Sequence, residues 1–222
     1  MTRMINELHN KNEGETCLIV GNALNLRLTP PELFDYPSIG LNTVHEYEGW
    51  SPDYYAAVDL RVMHEFKDAV NKKMKDGTIL IPFPKLKAWT GDNVVYFKIS
   101  GPPLWKPGSR TLWQDNIEGG LSYSNGMHVA MKLACYLGFT TLLIIGMEHD
   151  KNNNARKFWG VDHGMNPAVP VDTWMEGYKQ LSEAMRARNI TMLNISENTF
   201  VPEEIITRGD WRDYARTKQG ET

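Results

Sequence analysis

Apolar residues in this chain gather into short unbroken runs, separated by stretches of helical period. Thr141-Leu-Leu-Ile-Ile145 is the clearest run, continuous and aliphatic, the pattern of a strand buried on both faces. Thr16-Cys-Leu-Ile-Val20 repeats it near the amino end, and the two runs stop at Gly146 and Gly21. Met127, Ala130, Met131, Ala134 and Leu137 follow the i, i+3, i+4, i+7 spacing of one helix face. Gly138 ends that helix, and Ser122 or Ser124 is placed to cap its start.

Further strands are expected at residues 38–42, 54–59, 78–82, 93–98 and 190–195. A helix is expected at 62–74, with Phe66 and Val70 inward. A longer one at 172–188 would be capped by Asp172, with Trp174, Tyr178, Leu181 and Met185 on its apolar face. Strands alternating with helices predict an α/β fold with a doubly wound, mainly parallel sheet. Residues 1–15 read as a mobile amino-terminal segment, 16–200 as one domain, and 201–222 as a polar tail with a short helix around 211–215. Two irregular stretches, 101–120 with Trp105 and Trp113, and 151–170 with Phe158, Trp159 and His163, are long enough to serve as lids.

Composition narrows the function classes. The 222 residues carry a formal net charge of −3, which gives no general signal for nucleic acid. Lys72, Lys73, Lys75, Lys85 and Lys87 still form a local basic group, which a solvated helix face and loop would also explain. The two cysteines, Cys17 and Cys135, fall in apolar elements and read as buried thiols, so a reducing compartment is expected. Residues 1–15 lack a signal-peptide core, and no apolar run approaches the ~20 residues that span a bilayer. A cytoplasmic chain is the expectation.

The candidate chemistry collects at strand ends, where open α/β sheets bind ligands. Gly21-Asn-Ala-Leu-Asn-Leu26 follows the first long strand; its glycine permits a sharp turn and close approach to a phosphate or ribose. It lacks the later glycines of G-x-G-x-x-G and the G-K-[ST] of a P-loop, and an ordinary turn explains it as well. Asn22, Asn25, Asn42 and Asp59 would lie along the same edge, where amides suit ribose hydroxyls and base edges. Glu148, His149 and Asp150 follow the 141–145 strand. The E-x-D spacing, with Asp59 as a third carboxylate, could present oxygens to Mg²⁺; a polar loop would look the same. Ser124, Asn125 and Gly126 open a helix, whose positive end suits an anionic group. His163, beside Asp162 in a loop, has the chemistry of a general base, and a surface histidine without a role is the equal alternative. No G-x-S-x-G elbow is present, which argues against a serine hydrolase.

These landmarks, in this order, resemble the bacterial sialyltransferases that use CMP-sugar donors, and the related superfamily that includes archaeal hydroxymethylpterin diphosphokinases. The family's Gly-x-Gly-Pro-Ser-Leu stands where this chain has Gly21–Leu26, without the Pro and Ser. The Asn after the second strand is Asn42, and the Pro-Asp, strand, Asp pattern is Pro52-Asp53 with Asp59. Thr-Ser-Gly corresponds to Ser124-Asn125-Gly126, Leu-Gly-Phe to Leu137-Gly138-Phe139, and Gly-x-Asp to Gly146-Met147-Glu148. The loop His is His163, and the late Asn-x-Ser is Asn194-Ile195-Ser196.

The resemblance implies a Rossmann-like transferase with irregular lid loops, covering roughly 17–196. It implies that Gly21, Asn22, Asn25 and Asn42 hold a nucleotide, that Ser124, Asn125 and Gly126 contact its phosphate or the donor sugar, and that His163 deprotonates an acceptor hydroxyl. The implied donor is a CMP-sugar and the acceptor a small molecule or glycan. Two other readings stand beside this one: a Mg²⁺-dependent diphosphokinase using Asp59, Glu148 and Asp150, and a non-catalytic nucleotide-binding protein on the same fold.

Overall fold

The computed structural model describes residues 3–57, 60–83, 89–99, 121, 125–149 and 171–219. Asp59, Ser124, Asp150, His163 and both proposed lids lie outside the described residues, as do Lys85 and Lys87, and the side chain of Asn25 is likewise not described.

Eight strands form one sheet in which every pairing is parallel. They are β1 (Arg3–Met4), β2 (Thr16–Val20), β3 (Ser38–Leu41), β4 (Tyr54–Ala56), β5 (Thr78–Phe83), β6 (Val94–Lys98), β7 (Thr141–Ile145) and β8 (Thr191–Asn194). The order across the sheet is β1-β6-β5-β4-β3-β2-β7-β8. The described helices are α1 (Leu60–Glu65), α2 (Lys67–Lys73), α3 (Gly126–Tyr136), α4 (Val171–Arg186) and α5 (Trp211–Gln219).

Alternate residues of each strand feed two separate cores, which is why the central runs contain no polar positions. Cys17, Ile19, Leu142 and Ile144 pack with Val129, Leu133, Tyr178 and Leu181 of α3 and α4 on one face. Leu18, Val20, Leu143 and Ile145 pack with Val62 and Val70 of α1 and α2 on the other, where Trp211 and Tyr214 of α5 join them. The sheet is therefore covered on both sides, and the fold is α/β, Rossmann-like and doubly wound.

Several local expectations are corrected. The cap of α3 is neither Ser122 nor Ser124: the extended residue before the helix is Asn125, whose Oδ1 accepts the His128 N–H at 2.9 Å. Asp172 falls within the first turn of α4 rather than at its cap, and the helix stops at Arg186. The helix expected over 62–74 is kinked into α1 and α2 at Phe66, which leaves helical geometry (φ −110°, ψ 13°) with its ring 5.0 Å from that of His45. Cys17 is fully buried, but Cys135 is partly exposed.

Residues 3–15 are part of the fold rather than a mobile segment outside it. β1 pairs with β6, and Ile5 and Leu8 are buried in the core shared by α3 and α4. The N–H groups of Asn10, Asn12 and Gly14 donate to the carbonyls of Tyr136, Leu137 and Gly138, satisfying the carboxyl end of α3. Among the described residues, no helix is long and apolar enough to cross a membrane.

Candidate functional site

The chain runs outward from β2 through β3, β4, β5 and β6, then returns to β7 on the other side of β2. That reversal opens a crevice at the carboxyl ends of β2 and β7, the position where open α/β sheets take ligands. Two glycines set its floor. Gly21 N–H donates to Ile145 O at 2.9 Å, and Ala23 N–H donates to Gly146 O at 3.1 Å, so the strand ends lie in contact. A Cβ on Gly21 would sit 2.4 Å from Gly146 O and 2.8 Å from Met127 Cε. The first turn of α3 therefore lies directly over the end of β2.

Asn22 and Asn42 come next along this edge. Val20 pairs with Gly40, which places the two asparagines at matching distances beyond adjacent strands. Asn42 has φ +48°, a left-handed conformation that Asn tolerates better than most residues. Its carbonyl accepts from the Tyr55 hydroxyl and from His45 Nδ1–H, so the backbone there is firmly held. The side chains are another matter: Oδ1 of Asn22 and Oδ1 of Asn42 are buried, and neither has a hydrogen-bond partner among the described residues.

Asn125 adds a third such group. Its Oδ1 accepts two hydrogen bonds, from His128 N–H at 2.9 Å and from the Tyr178 hydroxyl at 3.0 Å. Those bonds fix the amide orientation, and the buried Nδ2 has no hydrogen-bond partner among the described residues. Tyr178 is fully buried on α4, and its hydroxyl lies 2.8 Å from His149 Nε2. The His149 ring packs against Trp174 (5.0 Å) and Tyr178 (5.5 Å). Burial pushes the His149 imidazole down to about 4 and lifts the Tyr178 phenol above its usual range, so both are neutral near pH 7. A base whose conjugate acid has a pKa near 4 is poorly matched to deprotonating an alcohol at neutral pH, so His149 is a hydrogen-bonding group here.

Deeper in α3, His128 and Lys132 are buried one turn apart. Burial lowers both, His128 well below its ordinary value with the Lys132 charge adding to the effect, and Lys132 to about 8.

The structure thus brings Gly21, Asn22, Asn42, Asn125 and Gly126 to one edge, with the strand-end residues Glu148 and His149 beside them. Glu148 is half-buried, and its carbonyl accepts Phe200 N–H at 2.8 Å. Asn194 and Ser196 serve a different purpose. Asn194 Oδ1 accepts Ser196 N–H, its Nδ2 donates to Thr199 Oγ1, and Thr199 in turn donates to Met147 O. This motif ties the end of β8 to the end of β7. Among the described residues, no three His, Cys, Asp or Glu side chains converge on a cation position. The metal set of the sequence reading needs Asp59 and Asp150, both outside the described residues.

A shallow cleft lined by Leu28, Pro30, Ile145, Ile195, Glu197 and Trp211 opens on the other side of Gly146. It faces α5 rather than α3, and none of the three partnerless amides lines it. The amides mark the better candidate, because a buried polar atom without a partner carries a desolvation cost that a ligand can recover.

Known proteins add one finding. The fold matches that of the sialyltransferase CstII from Campylobacter jejuni, solved in complex with a substrate analogue, cytidine-5'-monophosphate. The TM-score is 0.52, the sequences are 10% identical, and the match covers 90% of this chain and 88% of that one. That likeness establishes a shared architecture. No protein-family model matches the chain, and no curated protein does so by sequence.

Of the residues that meet at this edge, the sequence reading named Asn22, Asn42 and Asn125 as candidates, assigned Tyr178 to the apolar face of its helix, and gave His149 no role. The available signal was chemical: a tyrosine on a buried helix face needs a partner for its hydroxyl.

Proposed function

We propose that this chain is a nucleotide-dependent sugar transferase of the sialyltransferase type, taking a CMP-linked sugar and delivering it to an acceptor hydroxyl. One observation carries the reading: three buried amide groups without a hydrogen-bond partner among the described residues lie at the switch point of a Rossmann-like sheet. Asn22 and Asn42 offer acceptors, which suit ribose hydroxyls or an exocyclic amine. Asn125 offers a donor at the positive end of α3, which suits a phosphate oxygen. A nucleoside monophosphate has donors at one end and an anionic acceptor at the other, matching that polarity.

In the proposed reaction the acceptor oxygen attacks the anomeric carbon, the bond from that carbon to the phosphate oxygen breaks, and CMP departs. Asn125 Nδ2 and the α3 amino terminus stabilise the charge that develops on the leaving phosphate. The hydroxyl proton passes to a base, a role the family resemblance gives to His163. The likeness in fold to a sialyltransferase is consistent with this chemistry, and no step requires Mg²⁺.

Calorimetric titration with CMP, UMP, GMP and AMP, each with and without Mg²⁺, tests the binding half. CMP should bind, and Asn42→Ala should weaken it about tenfold or more, the cost of a lost hydrogen bond in a buried site. If none of the four nucleotides binds under either condition, the reading is wrong. Release of CMP from CMP-N-acetylneuraminate in the presence of a glycan acceptor tests the transfer half. Binding without turnover would instead support a nucleotide-binding protein, and Mg²⁺-dependent binding of AMP would favour the diphosphokinase class.

A further inference from the structure

The Tyr178 hydroxyl has one proton, and it is donated to Asn125 Oδ1. At the 2.8 Å contact with His149, the tyrosine oxygen must therefore accept, and His149 Nε2 must carry the hydrogen. The result is a directed chain: His149 Nε2–H to Tyr178 Oη–H to Asn125 Oδ1, which also accepts the His128 N–H. Rotating the Asn125 amide by half a turn would set its NH₂ against the His128 N–H, a donor that cannot reverse, and would force the Tyr178 proton to turn away onto His149. A donor facing a donor is a costly arrangement, so the cap and the chain together hold Nδ2 in a single direction.

His149 is fixed in turn. It stands at φ +51° just beyond β7, with its ring packed against Trp174 and Tyr178, both on α4. The chain thus links three elements: the end of β7, the face of α4 and the start of α3. The helix cap alone would give Asn125 one hydrogen bond; Tyr178 supplies the second and His149 sets the direction of the Tyr178 proton.

We propose that His149 and Tyr178 are positioning residues that lock the Asn125 amide so that its Nδ2 donor meets the phosphate of the bound nucleotide. This rests on the nucleotide reading above. Neither residue touches the ligand; both act through Asn125. The expected signature is a loss of affinity specific to the phosphate, because Asn22 and Asn42 serve the nucleoside end independently.

The test is calorimetric titration of the full chain with CMP and with cytidine. The proteins are wild type, Tyr178→Phe, His149→Ala, His149→Gln, Asn125→Ala and the Asn125→Ala/Tyr178→Phe double variant. Tyr178→Phe and His149→Ala should each weaken CMP about tenfold and leave cytidine within about twofold of wild type. His149→Gln should restore wild-type affinity, since the glutamine amide N–H replaces Nε2–H. In the Asn125→Ala background, Tyr178→Phe should cause no further loss, because the group it positions is gone. Equal losses for CMP and cytidine, an undiminished Tyr178→Phe effect in the Asn125→Ala background, or His149→Gln as damaging as His149→Ala would each overturn the proposal. Circular dichroism identifies any variant that fails to fold; should Tyr178→Phe do so, the His149→Ala and His149→Gln pair decides alone. Wild type that binds CMP as tightly as its variants overturns the positioning role only. Wild type that binds neither CMP nor cytidine overturns the nucleotide reading, and this proposal with it.

Discussion

A histidine held neutral down to about pH 4 makes acid a selective stress on this protein. His149 folds with its pKa lowered by burial from an ordinary value of 6.5 to about 4, and His128 is held well below its ordinary value, by burial first and by the Lys132 charge second. The unfolded chain therefore binds more protons than the folded one below pH 6.5. Stability should be fully present above that pH and be lost as pH falls, with the His149 contribution levelling off near pH 4. Each histidine adds at most about 1.4 kcal/mol per pH unit to the slope. Urea unfolding of wild type and His149→Gln at several pH values between 7.5 and 4 would resolve this. His149→Gln should show the shallower dependence between pH 6.5 and 4, and identical slopes would contradict the assignment. Residues of this kind are hard to read from sequence. Asn22 and Asn42 were legible because a polar amide directly after a buried strand lies at the ligand edge of any parallel sheet. Tyr178 was not, because helical periodicity counts a buried tyrosine as a core residue and says nothing about where its hydroxyl points.

At the scale of elements, the site depends on the β2 and β7 ends touching through backbone. Gly146 has φ +68°, and a Cβ there would lie 2.8 Å from Gly21 C and O. Gly49 has a similar φ of +76° with nothing within 4 Å of its Cβ position, which makes it a matched control. Gly49→Ala should cost about 1–2 kcal/mol, the price of a left-handed alanine. Gly146→Ala should cost a further 1–3 kcal/mol or so, because backbone cannot yield as a flexible side chain does. Equilibrium denaturation measures both. A Gly146→Ala loss no greater than that of Gly49→Ala would mean the strand ends are free to separate. Both strands were legible to the residue, since each is a short aliphatic run closed by a glycine that the close approach requires. The kink at Phe66 was not, because residues 62–74 keep a helical apolar spacing through the bend and the ring contact with His45 comes from a distant segment.

At the scale of the molecule, α/β alternation in the sequence implied a parallel sheet, and the switch point follows from strand order, which local pattern does not encode. Strand order also decides which edges are exposed. β8 is shielded by residues 207–209, through Asn194 N–H to Thr207 O and Gly209 N–H to Asn194 O. β6, the last long strand on the other side, is shielded by β1, whose Arg3 and Met4 pair with Val95 and Tyr96. Arg3 braces that strand, donating to Asp92 O at 2.5 Å and to Glu7 at 3.0 Å. The polar composition of residues 1–15 concealed this role, because two paired residues and two buried aliphatics, Ile5 and Leu8, are too few to register as a pattern. Removing residues 1–8 should therefore do more than shorten a tail. It strips the cover from the β6 edge and takes two side chains from the core. Unpaired edges recruit other chains, so the truncated protein should associate in a concentration-dependent way. An Ile5→Ser/Leu8→Ser variant retains the β1 backbone: it should lose stability, by about 2–5 kcal/mol per emptied aliphatic site, while remaining unassociated. Sedimentation velocity over a range of concentrations, paired with urea unfolding, separates the two effects. Truncated protein that sediments as wild type at every concentration would show that the β6 edge needs no cover.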